Sequence, residues 1–223
     1  MTPMPRLDIL GAALADPTRA RMLCTLMDGR AFTNKELACD AGVTAQTATA
    51  HLARLRDAGL ITTIKSGRCV YHRIAGKDVA DLLEHLSALT PRDTVLRPNG
   101  HARLPREICS ARCCYSHMAG RLGVDLCDAL VRAGAVDVTR DQVIVDLPRL
   151  RALPGLEGGT ADSAKLCLDW TERMPHLGGA LGRAICDLAF AYGWIVRDAQ
   201  PRVLLVTPAG TAAFAALGVG ART

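Results

Sequence analysis

Residues 33–59 read TNKELACDAGVTAQTATAHLARLRDAG, and the positions of Thr, Glu and Gly in this stretch decide the fold of the N-terminal part of the chain. Thr33 with Glu36 three residues later is a capping box, in which each side chain satisfies a backbone donor at a helix start. A short helix is expected from there to Ala41. Gly42 supplies the turn, because glycine takes the left-handed conformation that ends a helix at little cost. Thr44 caps a second helix expected to run to about Ala58 and to stop at Gly59. Helix, glycine turn and helix at this spacing form a helix-turn-helix pattern. In the second helix Leu52 and Leu55 face inward. Gln46, Thr47, Thr49, Ala50 and His51 lie near its N-terminal end, with Thr44 as cap and Arg54 one turn further on.

Working outward, apolar residues recur at helical spacing from Leu7 to Leu26, interrupted by Asp16-Pro17-Thr18, where Asp16 caps a new helix and Pro17 enters its first turn. Downstream, Leu60-Ile61-Thr62-Thr63-Ile64 and Val70-Tyr71-His72-Arg73-Ile74 alternate as strands around Lys65-Ser66-Gly67-Arg68. That is a β-hairpin with a basic tip, suited to lie along a phosphate backbone. Between Arg54 and Lys77 there are six basic residues and one acidic residue, Asp57. The N-terminal end of the second helix carries short polar side chains and methyl groups, the kind that read base edges in a major groove. These residues therefore point to double-stranded DNA: Thr44, Gln46, Thr47, Thr49, His51 and Arg54 on the helix, Lys65 and Arg68 on the hairpin.

The whole chain of 223 residues is 49% hydrophobic, 22% charged and only 4% aromatic, so Ala- and Leu-rich helices must supply most of the core. The expected class is mainly α with small β-hairpins (α+β). The formal charge is +5, and residues 1–105 hold 14 Lys/Arg against 10 Asp/Glu. There is no charged leader before an apolar run and no long apolar segment, so a cytoplasmic protein outside the membrane is expected. Nine cysteines, an odd number, then suggest reduced thiols available for metal or redox chemistry in place of a disulfide framework. No Ser-His-Asp order, paired carboxylates, phosphate loop or H-E-x-x-H is present, and an enzyme is not expected.

The run Leu14-Ala15-Asp16-Pro17-Thr18-Arg19-Ala20-Arg21, the segment Thr47–Leu60 and Gly67-Arg68-Cys69-Val70-Tyr71-His72 resemble the ArsR/SmtB family of winged-helix repressors over roughly residues 7–90. The resemblance implies a homodimer joined through the first helix and the helix after the wing. Here these are Leu7–Leu14 and Val79–Leu89, the latter with an apolar stripe of Val79, Leu82, Leu83 and Leu86. It also implies repression of an operator, relieved by an inducer. Two of the family's metal sites look absent. Ala31-Phe32-Thr33-Asn34 stands where metal-sensing members carry Cys-x-Cys, and only Asp81, Glu84 and His85 occupy the last helix. Cys24, Cys39 and Cys69 are scattered and read as buried or wing-strand thiols.

Residues 1–90 are expected to form the DNA-binding and dimerisation domain, 91–105 a linker and 106–223 a sensor domain. In the last, residues 117–128 recur at 176–187, an offset of 59, and Gly134 matches Gly193. Two helix-plus-hairpin units are expected, about 117–147 and 176–206. The blocks Cys114–Gly120, Cys167–Trp170 and Pro175–Leu177 resemble a C-terminal extension of a long-chain branch of the same family. Cys109, Cys113 and Cys114 are read as lying on one helix, with Cys109 and Cys113 on one face and Arg106 and Arg112 favouring thiolates. Such a cluster suits a soft ion: As(III) or Sb(III) first, with Cd, Hg, Cu(I) or Zn as further candidates. His117 and His176 with Cys114 and Cys167 form a weaker candidate, a zinc site of two sulfurs and two nitrogens. Against it stands a capping or packing role for the histidines at the starts of equivalent helices, which is favoured. The expected function is an operator-binding repressor released by a soft metal or metalloid, with thiol redox or an organic effector as alternatives.

Overall fold

The computed structural model describes residues 5–90, 106–139, 142–158 and 161–220. The expected linker, residues 91–105, lies outside them. The N-terminal elements are α1 (Leu7–Leu14), α2 (Pro17–Leu26), β1 (Phe32–Thr33), α3 (Asn34–Ala41), α4 (Ala45–Asp57), β2 (Ile61–Ser66), β3 (Cys69–Ile74) and α5 (Lys77–Leu89). The local signals act as expected. Asp16 accepts from Arg19 N at 3.0 Å to start α2, both halves of the Thr33/Glu36 capping box are formed, and Thr44 accepts from Thr47 N at 3.1 Å. Gly42 closes α3 with φ 69°. The wing strands extend further toward the tip than alternation indicated, with Ser66 paired to Cys69 and Gly67-Arg68 alone as the turn. β1 adds a third strand on β3, giving the order β1-β3-β2. Met22, Leu23, Leu26, Leu37, Leu52, Leu55, Leu60, Ile61 and Ile74 are buried as the core of this unit.

The chain divides into two compact units inside α5, between Leu83 and Glu84, earlier than the boundary at residue 90 expected from composition. Glu84 explains the difference. Leu82 and Leu86 are exposed, but Glu84 is buried, because Arg202 of the C-terminal unit donates to its Oε1 at 3.1 Å.

The C-terminal unit begins with α6 (Arg106–Ser110) and then repeats one plan twice. The first copy is β4 (Arg112–Cys114), β5 (His117–Ala119), α7 (Gly120–Arg132), β6 (Val136–Val138), β7 (Val143–Val145) and α8 (Leu147–Arg151). The second is β8 (Lys165–Leu168), β9 (Pro175–Gly178), α9 (Gly179–Ala191), β10 (Ile195–Arg197), β11 (Leu204–Val206) and α10 (Pro208–Ala216). Each copy therefore starts with a hairpin ahead of the repeat visible in the sequence. The offset of 59 fails there because the β8–β9 loop is longer: Cys114 and His117 are three apart, Cys167 and His176 nine apart.

The copies are intertwined. α7 packs on β9 and α9 on β5, so each helix covers the other copy's hairpin. Matching glycines in the helices allow this approach. A Cβ at Gly123 would lie 2.5 Å from Met118 O and 3.6 Å from His176 Cβ, and one at Gly182 2.3 Å from Leu177 O and 3.3 Å from His117 Cβ. Leu122, Leu126, Leu130, Leu181, Ile185, Trp194 and Phe214 fill the shared core, joined by Cys127 and Cys186. Among the described residues no helix is long and apolar enough to cross a membrane.

Candidate metal centre and nucleic-acid interface

Cys114 pairs with His117 across the first hairpin, and Cys167 with His176 across the second. Directly opposed residues of a hairpin point to the same face, so each hairpin presents one thiol and one imidazole together. The intertwined packing sets the two faces against each other, and one ligand atom from each of the four residues lies within 4.8 Å of every other. Among the described residues this is the one such cluster of three or more His, Cys, Asp or Glu side chains. Cys114 and His176 are fully buried and His117 is nearly so.

The imidazoles meet Nε2 to Nε2 at 3.1 Å. Burial, reinforced by His117, pushes His176 down to about 3, so it is neutral at physiological pH, the form in which histidine ligates a metal. Burial pushes the Cys114 thiol well above its ordinary range. The hydrogen bond that Cys114 donates, aided by His117, draws Cys167 down toward thiolate. Tetrahedral zinc, with bonds of about 2.0–2.1 Å to nitrogen and about 2.3 Å to sulfur, needs ligand atoms roughly 3.4–3.8 Å apart. Two thiols and two imidazoles, three of the four buried and with ligand atoms from 3.1 Å to within 4.8 Å apart, fit such an ion after a small adjustment.

Around the cage lies a buried ionic frame that the sequence did not reveal. Arg112 and Asp169 are both fully buried and meet at 2.7 Å. Asp169 also accepts from Gly120 N at 2.7 Å, Thr171 N at 2.9 Å, Thr171 Oγ1 at 2.7 Å and Glu172 N at 2.9 Å. Burial alone would raise the Asp169 carboxyl, yet Arg112 and these hydrogen bonds hold it far below its ordinary value. Its Oδ2 lies 3.9 Å from His176 Nδ1, beyond hydrogen-bond distance, and that nitrogen is buried without a hydrogen-bond partner.

The single-helix reading of the cysteine cluster is corrected. α6 ends at Ser110, and Cys113 and Cys114 occupy successive positions of β4. Successive strand residues leave opposite faces, so Cys114 joins Cys167 while Cys113 approaches Cys186 in the core. Arg112 is paired with Asp169, and its pull on the Cys109 thiol is outweighed by burial. Cys109 is moved up from its ordinary value, chiefly by burial. The capping role for the histidines is also corrected. The N-caps of α7 and α9 are Ala119 and Gly178, neither with a side-chain cap, and both histidines sit on strands. Cys24, Cys39 and Cys69 are all exposed, the last on wing strand β3.

In the N-terminal unit Thr44, Gln46, Thr47 and Thr49 are exposed at the N-terminal end of α4, Arg54 is exposed in its last turn, and Lys65 and Arg68 are exposed at the wing tip. The Thr44 and Thr47 hydroxyls bond each other at 2.9 Å. Thr49 is partly committed, donating to Ala45 O at 2.9 Å and accepting from Asn34 Nδ2 at 2.7 Å. His51 departs from the expected groove-facing position. Its Nδ1 lies 3.6 Å from Asp16 Oδ1 and 3.5 Å from Arg19 Nη1, tying α4 to the start of α2.

A family model described as a helix-turn-helix domain matches residues 14–64. YdfF of Bacillus subtilis, an uncharacterised HTH-type transcriptional regulator, is 34% identical over 218 residues, which cover 94% of this chain and 96% of that protein. The HTH-type transcriptional regulator CmtR of Mycobacterium tuberculosis is 40% identical over 77 residues, 34% of this chain and 64% of CmtR. The solution structure of CmtR, described as a cadmium metal-sensor, covers 44% of this chain and 99% of its own, at 31% identity and a TM-score of 0.33.

Proposed function

We propose, for a chain that belongs to the ArsR/SmtB family of winged helix-turn-helix transcriptional regulators, that it acts in the cytoplasm as a homodimeric repressor whose grip on operator DNA is set by one metal ion per chain. The ion is held by Cys114, His117, Cys167 and His176. One observation carries this reading: four ligand atoms from two intertwined hairpins converge within 4.8 Å in the interior of the C-terminal unit. The two imidazoles hydrogen-bond each other and Cys114 bonds Cys167, so four ligand-type groups meet in one buried place.

Zn(II) and Cd(II) suit a set of two sulfurs and two nitrogens, and Cd(II) or Cu(I) gain further from the sulfurs. As(III) and Sb(III), which favour a pyramid of three sulfurs, find two thiols here, so the metalloid preference expected from Cys109, Cys113 and Cys114 gives way to a divalent ion. When bound, the ion supplies a cross-link between the two copies. Cys114 and Cys167 would hold it as thiolates and the two imidazoles as neutral ligands.

On the DNA side, Gln46 and Thr47 read base edges, Thr44, Thr49 and Arg54 flank them, and Lys65 and Arg68 bind phosphate. Dimerisation uses α1 and α5, supported by exposed Leu7, Ile9, Leu82 and Leu86.

The test is metal uptake and DNA binding by the reduced full chain. The purified protein is titrated with Cd(II) while thiolate-to-metal absorption is followed. Binding to a duplex from upstream of its own gene is then measured by anisotropy with and without the ion. One ion per chain is expected, with uptake abolished in Cys114→Ser and His176→Ala. Undiminished uptake by those variants refutes the site.

A thiol-redox reading draws on one feature, the Cys114–Cys167 hydrogen bond with its lowered Cys167 thiol. Peroxide can oxidise that pair: the two thiols give up two protons and two electrons as the S–S bond forms, and these cleave the O–O bond of peroxide to give two waters. Operator release by peroxide from metal-free protein, absent in Cys167→Ser, would favour it.

A further inference from the structure

We infer that metal occupancy is passed from the cage to α5 by Arg173 and Arg202, an inference that rests on the metal reading above. Arg173 lies in the β8–β9 loop, between ligands Cys167 and His176, and its two guanidinium nitrogens donate to Ala88 O and Thr90 O. These carbonyls lie at the C-terminal end of α5, where a helix has unsatisfied acceptors and partial negative charge. A planar, permanently charged fork matches two neighbouring carbonyls in a way that a lysine cannot.

Arg202, in the β10–β11 loop of the same copy, grips the same helix. It donates from Nη2 to Glu84 Oε1 at 3.1 Å and from Nε to Cys113 O at 3.1 Å, while Cys113 N donates to Arg202 O at 2.7 Å. Its clamp thus holds the residue immediately before ligand Cys114. The second oxygen of Glu84 is buried without a nitrogen or oxygen partner and faces the Cys114 thiol.

Backbone conformation marks the same segments. Among the described residues, Tyr115, Arg173 and Arg202 are the non-glycine residues with positive φ, at 56°, 58° and 70°. Such conformations persist only where surrounding contacts enforce them, and they cluster at switch regions. Tyr115 sits in the β4–β5 turn between Cys114 and His117, so each ligand hairpin has one such residue in its loop. Drawing the four ligand atoms onto one ion would move β4 and the β8–β9 loop, and both are tied by an arginine to the end of α5, between Glu84 and Thr90, the residue after the helix. That helix is continuous back to Lys77, beyond the division between the units and next in the chain to the wing. A coupling of this kind requires the ion to favour one arrangement over the other.

The experiment uses the reduced full chain, Zn(II) as probe and the duplex from upstream of its own gene. Zinc affinity is read by competition with a chromophoric chelator, DNA affinity by anisotropy. Wild type is expected to take up one zinc per chain and to change its DNA affinity by at least about fivefold. Arg173→Ala/Arg202→Lys keeps the zinc stoichiometry and the metal-free DNA affinity, but its zinc response shrinks to less than about twofold. A double variant that binds zinc and retains the full response overturns the inference while leaving the metal site standing. Wild type that takes up no zinc, or takes it up with no change in DNA affinity, overturns the parent reading and this one together. Should the double variant not fold, Arg173→Lys, which keeps the cation and loses the fork, carries the same expectation and the same refutation.

Discussion

Asp169→Asn is expected to cripple the C-terminal unit far more than its near-identical shape suggests. The carboxylate accepts five hydrogen bonds, two on Oδ2 from Arg112 and Gly120 and three on Oδ1 from Thr171 and Glu172. Asparagine preserves the Oδ1 side but turns an amide NH2 toward the Arg112 guanidinium and the Gly120 N–H. Removing one member of a buried ion pair costs about 3–5 kcal/mol, because the other charge stays buried and uncompensated. The orphaned Gly120 donor adds about 1–3 kcal/mol. The loss is a large share of the 5–15 kcal/mol typical of a whole domain. The assay is urea denaturation of metal-free protein followed by tryptophan fluorescence. Both tryptophans of the chain, Trp170 and Trp194, lie in the C-terminal unit, and the Trp170 ring sits 4.8 Å from the Arg112 guanidinium, so the signal reports that unit alone. Asp169→Asn/Arg112→Met, which removes both charges, should regain much of the deficit. The native carboxyl is held below its unfolded value of about 3.9, so its contribution is complete above that pH and disappears as pH falls through the depressed native value. A single-variant loss under about 1 kcal/mol, or no recovery in the double, refutes the frame as a source of stability.

Other perturbations separate the two functional surfaces. Arg68→Ala should weaken binding to all DNA sequences and reduce the salt slope by about one, whereas Gln46→Ala should cost about 1–3 kcal/mol of discrimination between operator and random duplex. Equal loss on both duplexes for Gln46→Ala would contradict its assignment. Gly182→Ala places a Cβ 2.3 Å from Leu177 O, so α9 must lift off β9 at a cost of about 1–3 kcal/mol in urea denaturation, with weaker zinc binding as His117 is displaced. Gly158→Ala, whose added Cβ meets Leu188 Cδ2 at an ordinary 3.9 Å, is the neutral control. Zinc affinity measured by chelator competition should rise with pH through neutrality, since burial keeps Cys114 protonated and it must shed that proton to ligate. A flat pH profile would exclude Cys114 as a ligand.

The helix-turn-helix and wing were legible in the chain because their determinants are local. A capping box, a glycine at φ 69° and a two-residue hairpin turn act over a few residues, and no distant contact alters what Thr33, Glu36 or Gly42 must do. The repeat from His117 onward was visible for the same reason, as was the list of cysteines and histidines able to bind metal. The first hairpin of each copy was not. Unequal loops hide its equivalence, and Cys113-Cys114 in isolation fits one turn of helix as well as a strand.

What the sequence determined alone is the DNA-binding architecture and the duplication. Which thiols share a site was decided only by tertiary structure. Cys114 is one bond from Cys113 yet separated from it by the two-residue period of a strand, while it is brought to Cys167 by helices exchanged between copies. The burial of Glu84, Arg112 and Asp169 was equally beyond reach, since charged residues enter a core only when a distant partner meets them there.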